Sequence, residues 1–121
     1  MHYRLLLVGE EQSLWQAVLQ RAILLHGTVD TVTHEEALQA VAQGDYDLVV
    51  LDSGAIHDAV EMIAWLRAEE PRVPIIVATA SPTWQRARQA LRAGASDYIR
   101  KAMDEEAVRT SIKQVLDIGP R

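Results

Sequence analysis

Asp47-Leu48-Val49-Val50-Leu51-Asp52-Ser53 is the stretch that decides the fold: four large aliphatic residues in a row, closed by a carboxylate. A strand with one face in water alternates apolar and polar side chains. A strand that is apolar at every position is covered on both faces, as in a parallel sheet. The run therefore reads as a central parallel strand, with Asp52 at its carboxyl end. Working outward, Tyr3–Val8 and Val73–Thr79 have the same near-continuous Leu/Val/Ile content, and Thr28–Val32 and Ser96–Ile99 complete the expected strands over 28–32 and 96–99.

Helical periods lie between these runs. Leu14, Val18, Ala22 and Leu25 mark the first, and Ala37, Leu38 and Val41 the second. Ala59, Met62, Ile63 and Leu66 form a full stripe, Ala87, Ala90 and Leu91 mark the fourth, and Val108, Ile112 and Val115 the fifth. Capping chemistry agrees with this division. Thr33 with Glu36 and Asp58 with Glu61 have the capping-box spacing. Ser81 before Pro82 is an N-cap followed by proline at the first helical position, and Asp104 caps the last helix. Gly27, Gly44 and Gly94 suit the ends of the first, second and fourth helices.

Five strand–helix units predict an α/β fold: a (βα)5, flavodoxin-like, doubly wound parallel sheet with strand order 2-1-3-4-5, in a single domain over residues 1–121. The 121 residues, 49% hydrophobic and 24% charged, suffice for one core. The absence of cysteine excludes a disulfide framework, a thiolate metal site and a cysteine nucleophile. Only four strongly apolar residues follow Arg4, too few for a secretory signal core or a membrane span, so a cytoplasmic protein without membrane contact is expected. The net charge of −5 argues against direct nucleic-acid binding. The charge is polar along the chain: residues 1–81 carry 4 basic and 12 acidic groups, residues 82–121 carry 8 basic and 5 acidic.

In such sheets ligands bind beyond the carboxyl ends of the strands. Those ends read Gly9-Glu10-Glu11, Leu51-Asp52-Ser53, Ala78-Thr79-Ala80 and Arg100-Lys101. Carboxylates, a hydroxyl and an ammonium are thereby expected to converge. Carboxylate oxygens suit a hard cation such as Mg²⁺, and an Asp flanked by metal and ammonium is fitted to accept a phosphoryl group.

With these residues the sequence resembles the receiver domain of two-component response regulators, over about residues 3–117. The resemblance is carried by Leu-Leu-Leu-Val-Gly-Glu-Glu at 5–11, Asp47 to Asp52, Pro74 to Ala80, and Ala93-Gly-Ala-Ser-Asp-Tyr-Ile-Arg-Lys101. It implies a signalling switch, not an enzyme. Asp52 would accept a phosphoryl group from a histidine kinase or phosphotransfer protein, with Thr79 and Lys101 contacting the phosphate. Mg²⁺ would be held by Glu10, Asp52 and the Gly54 backbone, with Glu11 as a further ligand. Thr79 and Tyr98 would switch the surface of helix 4, strand 5 and helix 5 toward a downstream effector, an output domain of its own beyond this sequence, or a second copy in a homodimer.

Three departures stand out. Gly9 replaces the first acid of the usual pair, and Glu10 stands for the second. The loop after Asp52, Ser-Gly-Ala-Ile-His-Asp-Ala, is short and lacks the usual Pro and Asp-Gly. Ala102 replaces a proline after Lys101, so a trans Lys101–Ala102 bond is expected. Lys101 is then expected to lie farther from Asp52 at rest and to reach it only with phosphate present.

The loss of an acid at Gly9 keeps a second class open, a phosphorylation-independent pseudo-receiver acting as an interaction module. A flavin- or phosphate-binding enzyme on the same sheet is disfavoured, because Glu10 and Glu11 would repel a phosphate at the first strand end. His2, His26, His34 and His57 have no i, i+4 spacing, and His57 reads as a plain loop residue. Trp15, Trp65 and Trp84 read as helix-face packing. Arg86, Arg88, Arg92 and Arg100 are either a solvated face or a partner surface.

Overall fold

The structure is a computed structural model and describes residues 2–55, 58–102 and 104–118. Strands β1 (Tyr3–Val8), β2 (Gly27–Val32), β3 (Leu48–Asp52), β4 (Ile75–Thr79) and β5 (Asp97–Arg100) alternate with helices α1 (Leu14–Ile23), α2 (Ala37–Gln43), α3 (Ala59–Glu69), α4 (Trp84–Ala93) and α5 (Glu105–Ile118). The strands form one parallel sheet in the order β2-β1-β3-β4-β5, as the sequence predicts.

Every residue of β3 and β4 is buried, as are Leu5 to Val8 of β1, which bears out their reading as strands covered on both faces. Side chains alternate across each strand. Leu6, Val8, Val49, Leu51, Ile75 and Val77 pack with α2, α3 and α4, through Val41, Met62, Ile63, Leu66 and Ala90. Leu5, Leu7, Leu48, Val50, Ile76 and Ala78 pack with α1 and α5, through Trp15, Leu19, Ile23, Val108, Ile112 and Val115.

Helix starts are chemically marked. The Thr33 N–H donates to the Glu36 carboxylate at 3.0 Å, which closes the expected capping box on the 3-10 turn leading into α2. Asp58 caps α3 by accepting from the Glu61 N–H at 3.0 Å, and Asp104 accepts from the Glu106 N–H at 2.9 Å.

Several local expectations are corrected. The fourth helix is capped by Thr83, not Ser81, so Pro82 lies before the helix. Gly27 opens β2 instead of closing α1; a Cβ there would stand 2.0 Å from the Tyr3 carbonyl oxygen, and only glycine permits that approach. The buried stripe of α1 is Trp15, Val18, Leu19, Ala22 and Ile23, while Leu14 and Leu25 face solvent. Of the three tryptophans only Trp15 is core. Trp65 is 44% exposed and Trp84 is 75% exposed, its ring covered on one side by the Arg88 guanidinium at 4.7 Å.

Candidate functional site

Parallel pairing fixes which residues meet at the carboxyl edge. Val8 pairs with Leu51, Asp52 with Ala78, and Thr79 with Arg100, so β1, β3, β4 and β5 end side by side. Asp52 is 5% exposed and Thr79 is 6% exposed, the two buried polar side chains recorded among the described residues. A buried carboxylate is costly unless paired and hydrogen-bonded. Asp52 is both: the Lys101 ammonium lies 2.5 Å from its Oδ1, and the Gly54 N–H donates to the same oxygen at 3.0 Å.

The backbone after β5 explains the lysine's position. The Lys101 N–H donates to the Thr79 carbonyl at 2.8 Å, which continues the β4–β5 pairing by one residue. No cis peptide bond occurs among the described residues, so the Lys101–Ala102 bond is trans as expected. The further expectation, that Lys101 lies away from Asp52 at rest, is overturned. The trans bond leaves the strand register intact up to Lys101, and the ammonium is already on the carboxylate.

Thr79 is turned by a local bond, its Oγ1 accepting from the Ser81 N–H at 3.1 Å. Together with Ser53, Asp58, Val60, Arg86 and Tyr98 it lines a cleft of about 370 Å³ between α3 and α4. Tyr98, half-buried on β5, packs against the α2–α3–α4 side of the core. Position 9 adjoins Asp52: a Cβ there would lie 3.1 Å from the Asp52 Cβ and 3.6 Å from its Oδ2.

Asp52, Gly54, Thr79 and Lys101 are thus brought together. Glu10 and Glu11 are exposed and, with Gly9, Thr31, Val32, Thr33 and Glu36, line a cleft that runs from beside Asp52 toward β2. His57 lies outside the described residues. Arg86, exposed in the first turn of α4, borders the cleft that Thr79 lines, a placement that follows from the start of α4 at Trp84.

Such a site, one acceptor carboxylate with an ammonium and a hydroxyl at a sheet edge, is what a phosphoryl-accepting switch needs. The profile of the response regulator receiver domain matches residues 6–113. The chain belongs to the receiver domain family of response regulators. It is 33% identical over 114 residues to the two-component response regulator PhoP of Pseudomonas aeruginosa, covering 92% of this chain and 51% of that protein. It is 34% identical over 118 residues to the transcriptional regulatory protein TcrA of Mycobacterium tuberculosis, covering 95% and 47% respectively. The receiver therefore spans about half the length of these relatives. Among solved structures, a response regulator from Thermotoga maritima superposes with a TM-score of 0.88 at 20% identity, over 97% of this chain and 99% of that one. The receiver domain of a sensor histidine kinase from Pseudomonas aeruginosa, solved with magnesium coordinated in its active-site cleft, superposes with a TM-score of 0.80 at 24% identity, over 97% and 99%.

Receivers bind Mg²⁺ at this edge, which raises whether these residues fit the ion. Mg²⁺ demands octahedral oxygen coordination and is usually held by one or two carboxylates together with phosphate oxygens and water. This receiver offers one buried carboxylate, and its Oδ1 already receives the ammonium and the Gly54 N–H. Among the described residues no group of three His, Asp or Glu is placed to hold a metal ion. Asp52 Oδ2, on the side of Gly9, is left for an ion, so Mg²⁺ fits here with one protein carboxylate fewer than an acidic pair would give, completed by phosphate oxygens and water.

Proposed function

We propose that Asp52 is the phosphoacceptor of this receiver and that its phosphorylation controls a partner surface. The observation that carries the reading is a buried carboxylate at the end of the central strand, held 2.5 Å from Lys101. A carboxylate oxygen of Asp52 attacks phosphorus, and the donor's P–N or P–O bond breaks with its electron pair leaving on the donor. A phosphohistidine donor then takes up a proton at its imidazole, whereas acetyl phosphate leaves acetate directly. Lys101 neutralises charge on the transferring oxygens, and the Thr79 hydroxyl is placed to donate its hydrogen to an oxygen of the attached phosphate. The module is a switch, not an enzyme with a turnover of its own.

The phosphodonor is a histidine kinase or phosphotransfer protein in the cytoplasm. The output face is α4, β5 and α5, where Arg88, Arg92 and the exposed Trp84 stand, and it engages an effector, an output domain of the same protein or a second copy. Acetyl phosphate is expected to add one phosphoryl mass to the wild-type chain and none to Asp52→Asn, read by intact-mass spectrometry. A phosphorylated Asp52→Asn chain would overturn the assignment.

A further inference from the structure

We propose that Gln16 is a positioning residue of this receiver: its side-chain amide holds the loop between β1 and α1, and with it Glu10 and Glu11, beside the Asp52 site. The proposal rests on Asp52 being the acceptor, with Mg²⁺ next to it. The loop is tied to β2 at both ends. At its start the Gly9 N–H donates to the Val32 carbonyl at 2.9 Å. At its end the tie runs through Gln16, whose Oε1 accepts from the Gln12 N–H at 2.6 Å and whose Nε2 donates to the Thr31 hydroxyl oxygen at 2.7 Å. Glu10 and Glu11 stand between the two ties and line, with Gly9 and Thr31, the cleft that starts beside Asp52.

The second tie works against the backbone. Gln12 has a φ of 60°, and among the described residues it is the only non-glycine residue with a positive φ. Glutamine is unfavourable there, because its Cβ crowds the backbone carbonyl that follows. The bonding at the helix start is displaced to match. Ser13 caps α1 by accepting from the Gln16 N–H at 3.0 Å, and a Ser-x-x-Gln capping box would return the glutamine side chain to the N–H of Ser13 itself. Here it takes the N–H one residue earlier, and its other end is used on β2. Gln16 therefore does more than close a helix: it holds a strained turn and joins it to the neighbouring strand. Mg²⁺ keeps several of its waters, and carboxylates fixed along the cleft wall attract it through that shell. A loop free to relax at Gln12 leaves these two exposed carboxylates no fixed place beside Asp52.

Gln16→Leu removes both bonds and keeps a good helix former in α1. Two readouts on the whole chain separate positioning from a merely structural role: hydrogen exchange of the Gln12 amide, and Mg²⁺ affinity followed by the amide signals of Gly9 to Gln12. Gln16→Leu is expected to speed Gln12 exchange roughly tenfold. It is also expected to weaken Mg²⁺ binding about fivefold, the worth of one hydrogen bond. Gln12→Gly, added to the Gln16→Leu chain, takes the positive φ without strain and is expected to recover most of that affinity. A wild type that binds no Mg²⁺, an affinity unchanged in Gln16→Leu, or a loss that Gln12→Gly does not recover overturns the role of Gln16. Acetyl phosphate labelling of the same chains, read by mass, tests the acceptor separately. A wild type left unlabelled overturns Asp52 as acceptor, whereas a labelled wild type whose Mg²⁺ affinity ignores Gln16 overturns the positioning role alone.

Discussion

At the scale of single residues, Gly9 decides what ion the site tolerates. Its missing Cβ would lie 3.6 Å from Asp52 Oδ2, so an Asp at this position places a second carboxylate beside the first. The Cβ would also lie 3.1 Å from the Asp52 Cβ, which requires a shift of a few tenths of an ångström between β1 and β3. Two adjacent carboxylates repel each other without a cation and attract Mg²⁺ with one, because ligand charge count governs affinity. Gly9→Asp is therefore expected to raise Mg²⁺ affinity roughly tenfold, measured by titrating tryptophan emission. It is also expected to lower the urea midpoint in metal-free buffer and to recover it with Mg²⁺. Equal affinities in the two proteins would mean that Glu10 or Glu11 already supplies the second ligand. Asp52 and Thr79 were legible in the sequence because each closes a buried aliphatic run, whereas Lys101 follows the half-buried β5 and was singled out by its strand-end place and the resemblance. The closeness of Lys101 to Asp52 was not legible, because it depends on one backbone hydrogen bond, from the Lys101 N–H to the Thr79 carbonyl, that no residue type announces.

At the scale of elements, strands were more legible than helix phases. β3 and β4 declare themselves by unbroken aliphatic runs. In α1 the expected stripe and the actual one share Val18 and Ala22, and composition alone does not choose between Leu14 and Trp15 as the flanking member. The helix also stops at Ile23, which leaves Leu25 outside it, 90% exposed. Arg67 was missed altogether, and it joins three elements. From the last turn of α3, its Nε donates to the Gly94 carbonyl at 2.8 Å, just past α4. Its other nitrogens reach the Val73 carbonyl ahead of β4 and the Ser96 hydroxyl ahead of β5. Burial lowers the guanidinium's pKa from its ordinary value, a sign that the charge is partly withdrawn from water. Arg67→Met keeps the apolar stem and removes every donor, leaving these carbonyls short of a partner. It is expected to cost about 2 kcal/mol in urea unfolding, the usual worth of a hydrogen bond to a charged group left unmade. Phosphorylation of Asp52 is expected to persist. An unchanged midpoint would show that water replaces the guanidinium without loss.

At the scale of the whole molecule, the charge polarity along the sequence becomes a polarity between surfaces. Acidic residues dominate the first two-thirds of the chain, while α4 contributes Arg86, Arg88 and Arg92 and no acid. One cleft borders the site on the α4 side: Thr79 ends β4, Tyr98 comes from β5, and Arg86 comes from α4. On the proposed reading, phosphate at Asp52 offers the Thr79 hydroxyl a charged acceptor for its hydrogen, and a turn of the side chain toward it would loosen the bond that Oγ1 accepts from the Ser81 N–H at 3.1 Å, in the segment leading to Thr83 and α4. Tyr98, half-buried beside it, gains or loses room as the cleft changes volume. Since Lys101 already contacts Asp52, recruiting the lysine is not the step expected to couple phosphate to this cleft. A ligand shifts such an equilibrium only by its differential affinity for the two states, so the displaced residues should be those in contact with the cleft. Beryllofluoride is therefore expected to move amide signals over residues 79–92 and at Tyr98. It is also expected to change the emission of Trp84, whose exposed ring rides on α4 under Arg88. Shifts restricted to Asp52, Gly54 and Lys101, with Trp84 silent, would mark a receiver whose output face is fixed and engages its partner irrespective of phosphate.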